Sequence, residues 1–197
     1  EVLVICFLHS YANPAHERRA RELAQQVWPN RYVVLSSDVQ PVMREFERTS
    51  TTVVAGYVRP LLDRYLSSLT ERLAEEGYRD ELLVVQSNGG LIAAPLVGRF
   101  AANTILSGPA AGVTAAASFA RAAGLRDVVS CDMGGTSFDL CVIKDLTPAG
   151  TNQQSIDFGI PLRVPMIDVH AIGAGGGSIA RIDAAGILQI GPDSAGA

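Results

Sequence analysis

Residues 2–8 form an unbroken apolar run, a β-type stretch closed by His9 and Ser10. After it Asn13 suits an N-cap and Pro14 the first helical position, and Ala20, Leu23, Ala24 and Val27 recur at helical spacing. A second short apolar run, residues 32–35, ends at Ser36, Ser37 and Asp38. Strand, helix and strand in that order predict an α/β unit. From residue 43 to 77 the period is helical: Val54, Tyr57, Leu61, Tyr65, Leu69 and Leu73 form one stripe, and Gly77 fits the C-terminal cap. Pro60 lacks a backbone donor and is expected to kink or divide this helix, which the β-branched residues of 49–54 also weaken. Residues 82–86 read as a strand running into the turn Ser87-Asn88-Gly89-Gly90, and Ser107-Gly108-Pro109 opens an Ala-rich helix closed by Gly124. Beyond residue 127 the pattern changes to short strands punctuated by Pro and Gly, the first two (128–132 and 138–143) flanking a tight turn as a β-hairpin. A boundary is therefore expected near residue 127, with an α/β part before it and a β-rich lobe after it.

Composition narrows the class. With 197 residues, 48% apolar and 18% charged, the chain can bury a real core as one domain or as pieces of two, which excludes disorder. The run 2–8 is far short of the ~20 residues a membrane helix needs. A net charge of −4 leaves no basic footprint for nucleic acid. Cys6, Cys131 and Cys141 are an odd count inside apolar runs, which predicts buried, reduced thiols and a cytoplasmic setting. Opening at Glu1 without a basic n-region predicts no signal peptide and suggests a piece of something longer.

The densest chemistry lies in Asp132-Met133-Gly134-Gly135-Thr136-Ser137-Phe138-Asp139. Two glycines let backbone N–H groups turn inward around an anion, and Thr136 and Ser137 add hydroxyl donors. If residues 134–137 are the loop, Asp132 opposes Asp139, and like charges so placed are destabilising. A divalent cation between those carboxylates and a phosphate would account for them, an arrangement Mg²⁺ prefers. The plain alternative is a solvent-exposed hairpin tip made of ordinary turn residues.

A second feature is Asp168-Val169-His170-Ala171-Ile172-Gly173-Ala174-Gly175-Gly176-Gly177-Ser178. It departs from the dinucleotide fingerprint, because Ser178 stands where the last glycine belongs and Asp183 follows too soon. What remains is a glycine run allowing close backbone approach to a phosphate or ribose, or a plain flexible loop. Asp168 and His170 share a strand face and are either metal ligands or a structural pair. Two further candidates are Asn88, Gly89 and Gly90 just past a strand end, and Ser107 and Gly108 at a helix start, where anions are favoured. His9 and His16 read as a strand end and a helix surface.

Several phrases together resemble the hydantoinase A/oxoprolinase family. They are Leu8-His9-Ser10-Tyr11, Asn13-Pro14-Ala15-His16-Glu17 and Glu45-Phe46-Glu47-Arg48-Thr49-Ser50-Thr51-Thr52. They continue as Gln86-Ser87-Asn88-Gly89-Gly90, Leu106-Ser107-Gly108-Pro109-Ala110-Ala111-Gly112-Val113, Asp132-Met133-Gly134-Gly135-Thr136-Ser137 and Ile172-Gly173-Ala174-Gly175-Gly176-Gly177-Ser178-Ile179. The resemblance runs in order through essentially the whole chain; Phe138 departs from it, since a small hydroxyl residue is usual there.

The resemblance implies an α/β fold: a fragment of an actin-like or sugar-kinase-like ATPase with two RNase H-like lobes, each with a β-hairpin phosphate cradle. On that model residues 1–40 end the first lobe, 41–127 form a connecting helical and α/β region, and 128–197 open the second lobe. The first hairpin would lie upstream of Glu1. ATP and Mg²⁺ are the implied cofactors, with Asp132 and Asp139 in catalytic and metal-binding roles and Asp168 and His170 as further metal candidates. Gly134, Gly135, Thr136 and Ser137 would hold phosphate, and Gly173, Gly175, Gly176, Gly177 and Ser178 would contact the nucleotide. The implied activity is ATP-dependent hydrolysis of a cyclic amide, a hydantoin or 5-oxoproline, through a phosphorylated amide. The implied partner is a hydantoinase B-type subunit in a homo- or hetero-oligomer, with no nucleic acid or membrane. Alternatives are the ATP-using subunit of a ketone carboxylase, or a non-catalytic nucleotide-binding or assembly module. The paired acids argue against the last, because binding alone needs no such electrostatic cost.

Overall fold

The computed structural model describes residues 1–156 and 159–196. The first elements are β1 (Leu3–Ile5), α1 (Ala15–Ala24), β2 (Val33–Leu35), α2 (Ser36–Val39), α3 (Glu45–Glu75), β3 (Leu83–Val85), β4 (Leu91–Ala93) and α4 (Ala94–Val97). A 3₁₀ segment (Gly98–Thr104) leads to α5 (Ser107–Ala122), β5 (Val128–Met133), β6 (Phe138–Lys144), β7 (Thr147–Pro148) and β8 (Gly150–Thr151). Next come β9 (Gln154–Ile156), β10 (Ile160–Leu162), β11 (Met166–Ile167), β12 (His170–Ile172), β13 (Ser178–Ile182) and β14 (Leu188–Ser194).

The chain divides into two compact units, Glu1–Ser107 with Thr151–Met166 and Gly108–Gly150 with Ile167–Ala197. The division falls at the start of α5 rather than at residue 127. The helix buries Ala110, Val113 and Ala117, spaced three to four apart, against Cys141, Ile143, Ile167 and Val169, and so belongs with the strands that follow it.

In the first unit β1 and β2 pair in parallel, Leu3 opposite Val33 and Ile5 opposite Leu35, with α1 as the crossover. This is the α/β unit expected, and Ile5, Val33 and Leu35 pack with Ala20 and Trp28 to form its core. Asn13 Oδ1 accepts the Ala15 N–H at 3.1 Å at the start of α1.

Helix α3 corrects two expectations. It runs through Pro60 without a break for 31 residues. Its buried face is Arg48, Thr51, Thr52, Ala55, Gly56 and Leu66, whereas Tyr57, Leu61 and Tyr65 of the apolar stripe are 75%, 52% and 63% exposed. Small residues decide this. A Cβ on Gly56 would stand 3.0 Å from Val4 Cγ2, a tighter contact than side chains ordinarily make, so the helix lies close against β1 at this glycine. The Thr51 and Thr52 hydroxyls donate back to the Glu47 and Arg48 carbonyls at 2.7 and 2.6 Å, which makes burial of these polar groups tolerable. Packing against the sheet, not local propensity, then holds the helix across the proline.

Two charges are wholly buried beside that face, Glu17 and Arg48. Glu17 accepts from the Phe7 N–H at 2.8 Å, the Ser36 hydroxyl at 2.6 Å and the Ser37 N–H at 2.9 Å. Burial pushes its carboxyl up, but the Ser36 hydroxyl and the two backbone donors outweigh burial and hold it below the ordinary value. Arg48 donates to Ser36 Oγ at 3.1 Å and to the Val42 and Phe7 carbonyls at 2.9 and 2.7 Å. Ser36 thus links the two charges, and the network ties the loop after β1 to α3.

In the second unit the sheet order is β12-β6-β5, with β7 pairing β6 beyond that path, and β13 and β14 form a separate antiparallel pair. Gly124 takes a φ of +73°, with its N–H on the Arg121 carbonyl, and ends α5 as expected. All three cysteines are free; Cys141 is buried, but Cys131 is exposed and Cys6 half-buried, which corrects the expectation of three buried thiols. Burial pushes the Cys141 thiol up, so it stays a protonated core residue. Among the described residues no helix is long and apolar enough to cross a membrane.

Candidate functional site

The β5–β6 hairpin has the register its spacing predicts: Asp132 opposite Asp139 and Met133 opposite Phe138, around the loop 134–137. Strand β12 adds Ala171 on the other side of Asp139. Directly opposed residues share a face, so Asp132, Asp139 and Ala171 form one row. Cys141 and Ile143 lie on the same face two and four residues further along β6, and they pack on α5. The acids therefore stand where that packed face opens. There, Asp132 and Asp139 line a cavity of about 220 Å³ with Pro109, Gly112, Val113 and Ala116 of α5. The first turns of α5 face this cavity, and the positive end of a helix dipole favours anions. Gly112 closes the helix-opening motif Ser107-Gly108-Pro109-Ala110-Ala111-Gly112, and a Cβ there would meet Asp132 Oδ2 at 3.9 Å, an ordinary contact that places this turn beside the acid. In sequence, Gly108 and Gly112 lie four apart on one helix face.

At the tip, the Gly134 N–H donates to the Ser137 carbonyl at 2.9 Å and closes the turn. The Gly134 and Gly135 carbonyls accept the Gly176 and Gly177 N–H groups at 2.9 and 2.8 Å. Among the described residues, the N–H groups of Gly135, Thr136 and Ser137 and the two hydroxyls have no partner. The tip therefore has the Gly134, Gly135 and Ser137 carbonyls occupied and five donors open, in a loop that is mostly exposed. That run of open donors suits an anion.

The glycine run supports the tip rather than extending it. The Gly175 N–H donates to Ser178 Oγ at 3.0 Å, the Ser178 N–H returns to the Gly175 carbonyl at 3.0 Å, and the Ala174 N–H reaches Ile172 at 2.8 Å. The amides of residues 174–178 are thus all engaged within the protein. A Cβ on Gly175 would stand 2.6 Å from the Gly135 carbonyl carbon and the Thr136 nitrogen, and one on Gly177 3.0 Å from the Gly135 oxygen. Glycine is required at 175 by close approach of two backbones, the physical event its presence in sequence suggested.

The residues present fit a magnesium ion. Among the described residues no group of three or more His, Cys, Asp or Glu could cage a metal. Two opposed carboxylates beside an anion cradle match a cation that takes one or two carboxylates and completes its shell with phosphate oxygens and water. Asp168 and His170 stand apart from this pair. His170 Nε2 lies 3.5 Å from Asp168 Oδ2, and His170 opposes Leu140, whose side chain is on the other face of the sheet from Asp139.

In the first unit, Asn88, Gly89 and Gly90 form the β3–β4 turn. Asn88 Oδ1 accepts the Gly90 N–H at 2.9 Å, and the Gly89 N–H donates to Gln86 at 2.9 Å, so the turn satisfies itself. Ser107 and Gly108 begin α5 as predicted, but Pro109 and Gly112 are the residues of that helix start on the cavity.

A family model described as Hydantoinase/oxoprolinase matches residues 48–197. The caprolactamase subunit alpha of Pseudomonas jessenii is 41% identical over 199 residues, covering 100% of this chain and 28% of that protein. The crystal structure of the ATP-dependent caprolactamase from the same organism matches with a TM-score of 0.83 at 41% identity, over 100% of this chain and 28% of that one. A nucleotide-free structure of acetone carboxylase matches with a TM-score of 0.80 at 34% identity, again over 100% and 28%. The 5-oxoprolinase of Saccharomyces cerevisiae is 34% identical over 202 residues, covering 99% of this chain and 15% of that protein. The chain thus spans less than a third of the length of these relatives.

Proposed function

The chain belongs to the hydantoinase/oxoprolinase family, and on that premise we propose that it supplies one phosphate-binding hairpin of an ATP-dependent cyclic-amide hydrolase, in an actin-like ATPase lobe. The observation that carries this reading is the hairpin tip: five open donors beside two opposed carboxylates. In this reading the Gly135, Thr136 and Ser137 amides and the two hydroxyls bind phosphate oxygens. Asp132 and Asp139 hold Mg²⁺, which when bound neutralises charge on the phosphates. Phosphoryl transfer depends mainly on positioning and charge neutralisation. The γ-phosphoryl group passes from ATP to the amide oxygen as ADP leaves. Water then attacks the activated carbon, the ring C–N bond breaks with the nitrogen taking the proton, and a second water releases phosphate from the acyl phosphate. Asp132 is placed to orient the attacking water or the metal shell. Gly175, Gly176 and Gly177 fix the tip so that its donors are already aimed before the nucleotide arrives. The substrate is a hydantoin, 5-oxoproline or a lactam, and the working enzyme includes a second subunit, as the name of the caprolactamase subunit alpha suggests.

The likeness to acetone carboxylase favours one second reading, in which the same ATP site energises carboxylation of a ketone. Phosphate release by the full-length protein with its partner subunit separates the two. Release driven by 5-oxoproline, hydantoin or caprolactam, and reduced at least ~10²-fold in Asp132→Asn, supports the hydrolase. Release only with ketone plus bicarbonate assigns the carboxylase. Nucleotide binding with no release on any substrate overturns both in favour of a binding module.

A further inference from the structure

We propose that the first unit carries a separate binding site for a small organic anion, in the cavity between α3, the residues just before β3, and α4 with the start of the 3₁₀ segment. This cavity holds about 770 Å³, a size typical of small-molecule sites. Arg31, Arg59 and Arg99 all line it. Arg31 is neutralised by Asp63 at 3.0 Å. Arg59 and Arg99 are not: among the described residues neither makes a side-chain hydrogen bond or an ion pair. Each lies only against a ring, Arg59 at 6.0 Å from the Tyr32 centroid and Arg99 at 5.4 Å from that of Phe100. Arg59 Nε is shut off from solvent and has no acceptor. That atom is closed to a ligand as it is to water, but the Arg59 Nη groups are not shut off and have no acceptor either, and an oxyanion entering the cavity would supply one.

The surroundings define the ligand further. A second cavity of about 310 Å³ shares Arg59, Gly98 and Arg99, so both guanidinium groups stand where the two cavities share lining. Gly98 packs against the α3 side chains there: a Cβ on it would stand 2.5 Å from Asp63 Oδ1 and 3.5 Å from Arg59 Nε. A guanidinium fork matches the planar geometry of a carboxylate or phosphate. Leu66, Leu82, Pro95 and Leu96 offer an apolar wall for a carbon skeleton. Glu71, Asp80 and Glu81 also line the cavity and would repel a polyanion such as a nucleoside triphosphate. The ligand is therefore an oxyanion of low charge on an apolar body, a monocarboxylate ahead of a phosphate.

Calorimetric titration of the full-length protein with hexanoate, and separately with inorganic phosphate, tests the site. Hexanoate is expected to bind one to one, and Arg59→Gln and Arg99→Gln each to weaken it by about tenfold or more. Arg19→Gln, on α1 and paired with Glu22 away from the cavity, leaves binding unchanged. Phosphate binding that the arginine variants abolish, with hexanoate silent, keeps the oxyanion site and makes its ligand a phosphate. Failure of both anions to bind, or equal binding by the arginine variants and the parent, overturns the proposal. Arg99 is exposed, so its variant keeps the fold, and unchanged melting and ATP binding in it separate this site from the hairpin.

Discussion

At the scale of single residues the candidate site depends on atoms that are absent as much as on those present. Gly175→Ala would force a methyl group to within 2.6 Å of the hairpin backbone, and a backbone cannot swing aside as a side chain can. The expected outcome is a loss of ATP affinity of about tenfold or more in the full-length protein, read by titration with a fluorescent ATP analogue. Thr136→Ala removes one of the two hydroxyls among the five donors and costs about 1 kcal/mol of the same affinity. Glu17 makes a pH prediction. Its carboxyl is held below the ordinary 4.5, so its stabilisation is complete above that pH and is lost as pH falls below it. Thermal melts from about pH 6 down to about pH 3 should steepen below pH 4.5 in the parent and less so in Glu17→Gln. Equal slopes would show that Glu17 carries no linkage.

At the scale of elements, α3 and the second-unit sheet give opposite lessons about apolar patterning. The α3 stripe at three- and four-residue spacing is helical, as read, yet its middle residues Tyr57, Leu61 and Tyr65 face outward, while Val54 packs on the core and Leu69 and Leu73 are half-buried. The face that packs is made of Thr51, Thr52, Ala55 and Gly56, which no hydrophobicity pattern would select. Ala55→Leu overpacks this contact and should cost about 1–3 kcal/mol, while Tyr57→Ala should stay within about 0.5 kcal/mol. Urea denaturation of the full-length protein checks both, and the reverse order would return the middle of the stripe to the core. On β6 the alternation is ordinary: Cys141 and Ile143 point into the core and Val142 outward. Ile143→Ala should cost about 2–5 kcal/mol, and by loosening the face beneath the acids it should also weaken nucleotide binding.

At the scale of the whole molecule, the chain is two compact units, the second of which contains the hairpin, the glycine run and the acids. With two opposed carboxylates and no third ligand among the described residues, a divalent ion here completes its shell with water and, once ATP is bound, with phosphate oxygens. Chelation with EDTA is therefore expected to abolish phosphate release by the full-length enzyme and weaken ATP binding, both restored by Mg²⁺. Turnover that survives chelation would remove the metal role from Asp132 and Asp139.

Much was legible because it is local. Turn glycines between two apolar runs set the hairpin and its register, since a four-residue loop leaves Asp132 only Asp139 to oppose. Asn13 and Gly124 mark the helix ends at which they act, through backbone groups a few residues away. What tertiary structure alone decided involves partners distant in sequence. The occupied amides of Gly176 and Gly177, the outward turn of the middle of the α3 stripe, the burial of Glu17 with Arg48, and the separation of His170 from Asp139 all arise there. Spacing along the chain specifies which residues share a face. Which face is covered, and which donor is left open, depends on the close approach of segments that the sequence does not bring together.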